Sequence, residues 1–154
     1  MTAPTLEQTR AAASGIHSMA EEDFARRRRE EAGDALTAFF VVLAKKLFPK
    51  DVEEAIAARV ETMLAAYFLR GEVEGAKGKP PSEAAAKKAV EHVASLDGAA
   101  LNQRIDDEIG DAMLAFFSAF SKKVLPLETD GMRVAMQVQL MVLAYLARKH
   151  LSAS

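Results

Sequence analysis

Arg27, Glu31 and Asp34 follow one another at intervals of four and three residues. That spacing puts all three on one face of a helix. Arg104, Glu108 and Asp111 repeat the arrangement 77 positions later. Grouped carboxylates hold a metal ion when imidazoles join them, and His17 and His92 stand upstream of the two segments. Helical bundles host di-metal centres of this kind, but they use a Glu-x-x-His pair on one helix. No such pair occurs here. His17, Glu31, Asp34, His92, Glu108 and Asp111 therefore form a secondary polar cluster. Arg27–Glu31 and Arg104–Glu108 read first as (i, i+4) ion pairs on a solvated face, and neither metal nor cofactor is implied.

Other routes to catalysis are closed or unmarked. With no cysteine, the chain has no disulfide, thiolate nucleophile or thiolate metal site. It carries no Ser-His-Asp spacing, no Gly-rich phosphate loop and no HExxH segment. The net charge of −2 argues against a protein built to grip a phosphate backbone, which needs clustered positive charge. The one basic run, 26–29, is followed at once by Glu30 and Glu31 and has no interleaved aromatics. A solvated helix face explains it, though Arg26 and Arg28 remain candidates for contact with an acidic partner.

Tyr67 precedes Arg70 by three residues, and Tyr145 precedes Arg148 by three. Ring and guanidinium share a face at that spacing, and both residue types are enriched at protein interfaces. A partly buried tyrosine tethering the end of its helix is the first reading. Met132 and Met136, with Met141, Leu140 and Leu143, make the last segment strongly apolar. Methionine suits adaptable binding surfaces as well as cores. Tyr67, Arg70, Tyr145, Arg148, Met132, Met136, Arg26 and Arg28 are the candidate interaction residues.

The elements that must position these residues repeat. Residues 27–49 align without gaps on 104–126, matching Arg27/Arg104, Glu31/Glu108, Gly33/Gly110, Asp34/Asp111, Ala35/Ala112, Ala38/Ala115, Phe39/Phe116, Phe40/Phe117, Lys45/Lys122, Lys46/Lys123 and Pro49/Pro126. After one extra residue the match resumes with Ala57/Ala135, Val60/Val138, Met63/Met141, Ala66/Ala144, Tyr67/Tyr145 and Arg70/Arg148. Upstream it weakens, with His17 and His92 in similar places. A fixed period of this kind is the signature of duplicated architecture.

Helix formers dominate and strand signals are nearly absent. The pattern predicts helices over about 5–19, 18–48, 50–70, 82–95, 97–125 and 128–151. Ser18 with Glu21 has capping-box form, and Ser82 and Asp97 are further caps. Gly33 inside the second helix marks close packing, a kink or a break with Asp34 as the new cap. The stripes Leu36/Phe39/Leu43/Leu47 and Met113/Phe116/Phe120/Val124, widened by Phe40 and Phe117, place the 18–48 and 97–125 helices at the centre.

The fold expected is all-α, about six helices, a tandem duplication of a three-helix unit packed as a pseudo-two-fold bundle. Its parts are a first repeat over 1–72, a linker over 73–82 and a second repeat over 83–154, together making one compact domain. No apolar run reaches the roughly 20 residues that span a bilayer, and no signal peptide is seen near the start. A cytoplasmic, non-catalytic interaction module follows: a regulator, adaptor or assembly component. Its partner is another protein or a second copy, not nucleic acid. A carrier of a small apolar ligand between the repeats is the alternative, and a metal-binding bundle or enzyme the remaining one.

Overall fold

A computed structural model describes residues 3–152, and they form an all-α helical bundle. The order is α1 (Leu6–His17), α2 (Glu21–Arg27), a π-helical turn (Arg28–Ala32), α3 (Gly33–Leu47), α4 (Glu53–Glu74), α5 (Glu83–Ala94), α6 (Gly98–Glu108), α7 (Gly110–Val124) and α8 (Gly131–Ser152).

The two long helices expected over 18–48 and 97–125 are each broken in the middle. Gly33 has φ +78° and Gly110 has φ +74°. Side-chain-bearing residues rarely adopt that conformation, so the chain turns where only glycine turns cheaply. Asp34 does not cap the new helix, whose N-cap is Ala32 with no side-chain hydrogen bond. Ser18 does not start α2 either. It closes α1, its hydroxyl donating to the Ser14 carbonyl, and Ala20 is the uncapped start of α2. The reciprocal capping box belongs instead to Thr5 and Gln8 at the start of α1. Ser82 and Asp97 do cap α5 and α6, accepting from the backbone N–H of Ala85 and Ala100.

The centre also differs from the expectation. α4 is buried at every position from Thr62 to Gly71, and α8 at every position from Leu140 to Arg148. α3 and α7 keep an exposed side, with Val42 60% exposed. The apolar stripe of α3 is simply wider than its buried face. α4 and α8 were harder to see as central because Arg59, Arg70, Gln137 and Arg148 interrupt them. Small residues let them approach: Ala65, Ala66, Ala144 and Ala147 are fully buried.

α4 packs on α8, and their seam is the spine of the molecule. Around it, α1 lies against α4 and α7, while α5 lies against α8 and α3. Each half therefore reaches across onto the other. Burial matches at positions 77 apart. α1 buries Thr9, Ala12, Ala13 and Ile16, and α5 buries Ala86, Ala89, Val90 and Val93. α3 buries Leu36, Phe40, Leu43 and Ala44, and α7 buries Met113, Phe117, Phe120 and Ser121. In that register His17 aligns with Ala94, and His92 aligns with Gly15, so the two histidines are not counterparts.

Gly71 is where the spine is tightest. A Cβ there would lie 2.6 Å from Nη2 of Arg148 and 2.9 Å from the Ala76 carbonyl oxygen. Arg148 is 1% exposed and has no room to withdraw. Gly71→Ala is expected to destabilise the fold by about 1–3 kcal/mol through overpacking. Gly15→Ala, within α1 and with nothing inside 4 Å, is expected to stabilise it by up to about 1 kcal/mol. Urea unfolding of the two variants checks this, and a neutral Gly71→Ala would contradict the packing described.

Candidate functional site

Three polar clusters are built on this frame. The first is internal. Arg70 reaches across the seam to Glu108, Nη2 to Oε1 at 2.9 Å, and its Nη1 donates to the Tyr145 carbonyl at 3.4 Å. Arg148 makes the reverse crossing to Glu31 at 3.3 Å and donates to the Tyr67 carbonyl at 3.1 Å. Each guanidinium also lies near the other half's tyrosine ring, 4.9 Å for Arg70 over Tyr145 and 4.6 Å for Arg148 over Tyr67. Arg27 and Arg104 hold the same carboxylates from within their own helical segments.

Tyr67, Arg70, Tyr145 and Arg148 are thus interior residues at the α4–α8 seam, each at most 2% exposed. They offer no outer surface. Burial pushes the Tyr67 hydroxyl upward despite nearby Arg148, and pushes Tyr145 up to about 12 despite nearby Arg70. Glu31 and Glu108 are likewise buried, whereas Asp34 and Asp111 are exposed. Burial alone would raise the Glu108 carboxyl. The hydrogen bonds and charges of Arg104 and Arg70 outweigh it and hold Glu108 down to about 2.

The polar cluster of the repeats does not converge. His17 lies against Phe116 and Phe120, and His92 lies against His150. Among the described residues, no three His, Cys, Asp or Glu side chains are grouped to hold a metal ion. Arg26 is exposed and paired with Asp23 at 3.1 Å, while Arg28 reaches Asp34 at 3.3 Å. Met136 packs on the core and Met132 is 74% exposed.

The second cluster is at the end of the bundle where α3 turns into α4 and α7 turns into α8. Arg59 is 2% exposed and its guanidinium makes four hydrogen bonds. It bonds Asp51 at 2.8 Å, both oxygens of Glu128 at 3.0 and 2.7 Å, and Gln137 at 2.9 Å. It also stacks 3.4 Å from the centroid of the Phe48 ring. Arg133 closes the network from outside, at 2.9 Å from Asp51 and 2.9 Å from Glu128. Glu128 is held below its usual range by its bonds to Arg59, against the pull of burial. For Asp51, burial acts upward and the bonds from Arg59 and Arg133 bring it below its usual range.

This network draws the two turns side by side, and large apolar side chains flank it. Val52 is 67% exposed, Leu127 93% and Met132 74%. Each is chain-adjacent to a member of the network: Asp51, Glu128 or Arg133. A groove of about 560 Å³ opens beside them, lined in part by Leu125, Leu127, Thr129 and Arg133. Of this end, the sequence reading singled out only Met132. The signal available was the matched Pro49 and Pro126 turns, each followed by an acid and an exposed aliphatic residue.

The third cluster is His92, His150 and Arg104 at the opposite end. The imidazole rings are 4.3 Å apart, and Arg104 Nη1 is 2.8 Å from Nε2 of His150. The seam itself is filled by side chains. Met63, Leu140, Met141 and Tyr145 there are fully buried. No family model matches this chain, and neither a curated protein nor a solved structure resembles it significantly.

The buried carboxylates set a pH dependence. Glu108 titrates at about 2 in the folded chain and at about 4.5 when unfolded. Between those values the unfolded state binds more protons, so the stability Glu108 contributes is complete above 4.5 and is lost as pH falls through about 2. Glu108→Gln is expected to cost about 3–5 kcal/mol at neutral pH by stranding buried arginine. It should also flatten the loss of stability in that acid window. Urea midpoints measured from pH 7 to pH 2 check both; an unchanged slope in the variant would refute the assignment.

Proposed function

We propose that this chain is a non-catalytic interaction module, built by duplication of one three-helix unit, that docks a partner protein through its turn end. The observation carrying the reading is that Val52, Leu127 and Met132 are each exposed and each chain-adjacent to a member of the Arg59–Asp51–Arg133–Glu128 network. Exposed aliphatic residues scattered singly mean little, but a cluster rimmed by charge is how interaction patches are made. Here the network also fixes the backbone beneath the patch, so little ordering entropy opposes docking. A regulator, adaptor or assembly component has this economy: a rigid frame and one sticky end.

The duplication is supported by matched detail. α3 and α7 each have 15 residues, and α4 and α8 each have 22. The residues ending α3 and α7, Phe48 and Leu125, have φ/ψ of −127°/63° and −123°/66°. The reciprocal crossings Arg70–Glu108 and Arg148–Glu31 are what an approximate two-fold axis through the α4–α8 seam produces. Fusing two such units would give a chain that imitates a homodimer of one.

No helix among the described residues is long and apolar enough to cross a membrane. We place the protein in the cytoplasm, where a chain without cysteine loses nothing to a reducing environment.

The test is a double substitution, Leu127→Ser with Met132→Ser. Both side chains are exposed, so unfolding free energy should move by no more than about 0.5 kcal/mol. Crosslinking from a photoreactive residue at Thr129 in the native cell should yield one defined adduct that the double variant loses. Arg26→Ser with Arg28→Ser should keep it. An adduct unchanged by the double variant, or none in the wild type, sinks the reading. An adduct of doubled chain mass, with sedimentation dependent on concentration, would make the partner a second copy.

A further inference from the structure

Arg27 and Arg104 are counterparts, yet they are satisfied differently. Arg27 holds two carboxylates: Glu31 through Nε, and Glu72 through Nη1 at 2.7 Å. Arg104 holds Glu108 through Nε at 2.7 Å, but its Nη1 meets the His150 imidazole at 2.8 Å. Glu72 and His150 occupy the same place in α4 and α8, each two residues beyond the buried arginine. The first half therefore displays the arrangement that the second half lacks, a carboxylate against the outer edge of this arginine.

An arginine only donates hydrogen bonds. Nε2 of His150 must accept, so the ring facing Arg104 is neutral and carries its proton on Nδ1. Beside it is His92, 4.3 Å away centroid to centroid. Both rings line a surface groove of about 600 Å³ between α5 and α8, with Lys88, Glu91 and Ser95. Glu91 has Lys87 as an ion-pair partner at 4.0 Å. The groove is thus furnished with two imidazoles and a lysine, backed by Arg104.

We propose that the α5–α8 groove binds a carboxylate, which takes against Arg104 the place that Glu72 holds against Arg27. It goes beyond the docking surface at the turn end and does not depend on it. Binding takes up one proton. The entering carboxylate accepts from Arg104 Nη1, and the displaced His150 nitrogen becomes an N–H that donates to the same ligand or to its neighbour. The groups facing His150 are Lys88, Glu91 and His92 from α5, Arg104 and Glu108 from α6, and Lys149 on its own helix. Burial first, then the charges of Arg104, His92 and Lys149, lower its affinity for a proton, and Glu108 opposes them. A bound anion reverses that balance. Affinity should therefore fall by up to about tenfold for each pH unit between the titration of the free imidazole and that of the bound one.

The chain has only three histidines, which makes the test direct. Acetate, as a free acid, and a capped penta-glutamate peptide, as a side-chain source, are titrated at pH 6 and pH 7.5 while the imidazole NMR signals are followed. His92 and His150 should shift and saturate, more tightly at pH 6, and the titration midpoint of His150 should rise. His17, on α1 against Phe116, should stay still. Saturation by acetate alone assigns the site to a small acid, and tighter saturation by the peptide assigns it to an acidic segment. His150→Glu supplies the missing carboxylate internally, so His92 should no longer respond. His92→Gln, which leaves Arg104 and His150 in place, should weaken binding without abolishing it. Equal response of all three histidines, no response at tens of millimolar, or an undiminished response in folded His150→Glu overturns the proposal.

Discussion

Arg70 and Arg148 lie in the middle of the core at 0% and 1% exposure, and a guanidinium does not shed its charge on burial. Each must find a carboxylate in the interior; Glu74, on the same helix as Arg70, lies 3.5 Å from it but is partly exposed, so the interior partners come from elsewhere. Glu108 and Glu31 supply it from across the seam. That requirement sets the register of α4 against α8, because sliding one helix by a turn would strand two charges at once. Apolar packing alone tolerates such slips far better. The twice-occurring motif of an arginine three residues after a tyrosine is thereby explained as architecture. The guanidinium donates to the carbonyl of the opposite tyrosine and lies near its ring, so one side chain ties down both helices.

The same requirement explains the broken helices. A straight helix over 18–48 would set Glu31 and Phe40, nine residues apart, on opposite faces, and both could not face the interior. The positive-φ glycines at 33 and 110 reset the direction immediately after each buried acid. In the first half a π-helical turn over Arg28–Ala32 adds a further adjustment before Gly33, whereas α6 runs regularly to Glu108. The difference follows the loads on the two acids. Glu31 also accepts from the Gly78 backbone, and Arg148 also donates to the Ala76 carbonyl, so the 75–82 segment is drawn down over that pair. Gly71 has to lack a side chain for this to fit.

Helix content and the caps Ser82 and Asp97 were legible because each rests on local chemistry: helix-forming residues, and a serine or aspartate at the start of a run. The full burial of Arg70 and Arg148 was not. The pair spacing is the same whether the face is inside or out, and only the distant carboxylates decide it. The central position of α4 and α8 was masked for the same reason, since arginine and glutamine lower the apolar count of helices that are wholly enclosed. Pairing His17 with His92 failed because it followed residue type through a weak stretch of alignment. Burial gives the register there, and it is shifted by two positions. The turn-end network was unreadable in advance, because Asp51, Arg59, Glu128 and Arg133 are far apart in sequence and ordinary singly.

If the chain is a fused pair of units, its two halves were free to diverge wherever the shared core did not hold them. The positions that keep the core are near-identical: Glu31 and Glu108, Gly33 and Gly110, Arg70 and Arg148. The differences collect around charge. Arg59 aligns with Gln137, and the two bond to each other at 2.9 Å, which is where an axis would bring counterparts face to face. Two arginines there would repel, and two glutamines would leave Asp51 and Glu128 without their buried cation. One of each satisfies both turns at once. Glu72 and His150 differ in the same way at the other end. In a chain of that origin, a shared frame would gain unlike ends by single exchanges beside its buried arginines, without disturbing the crossings that hold it together.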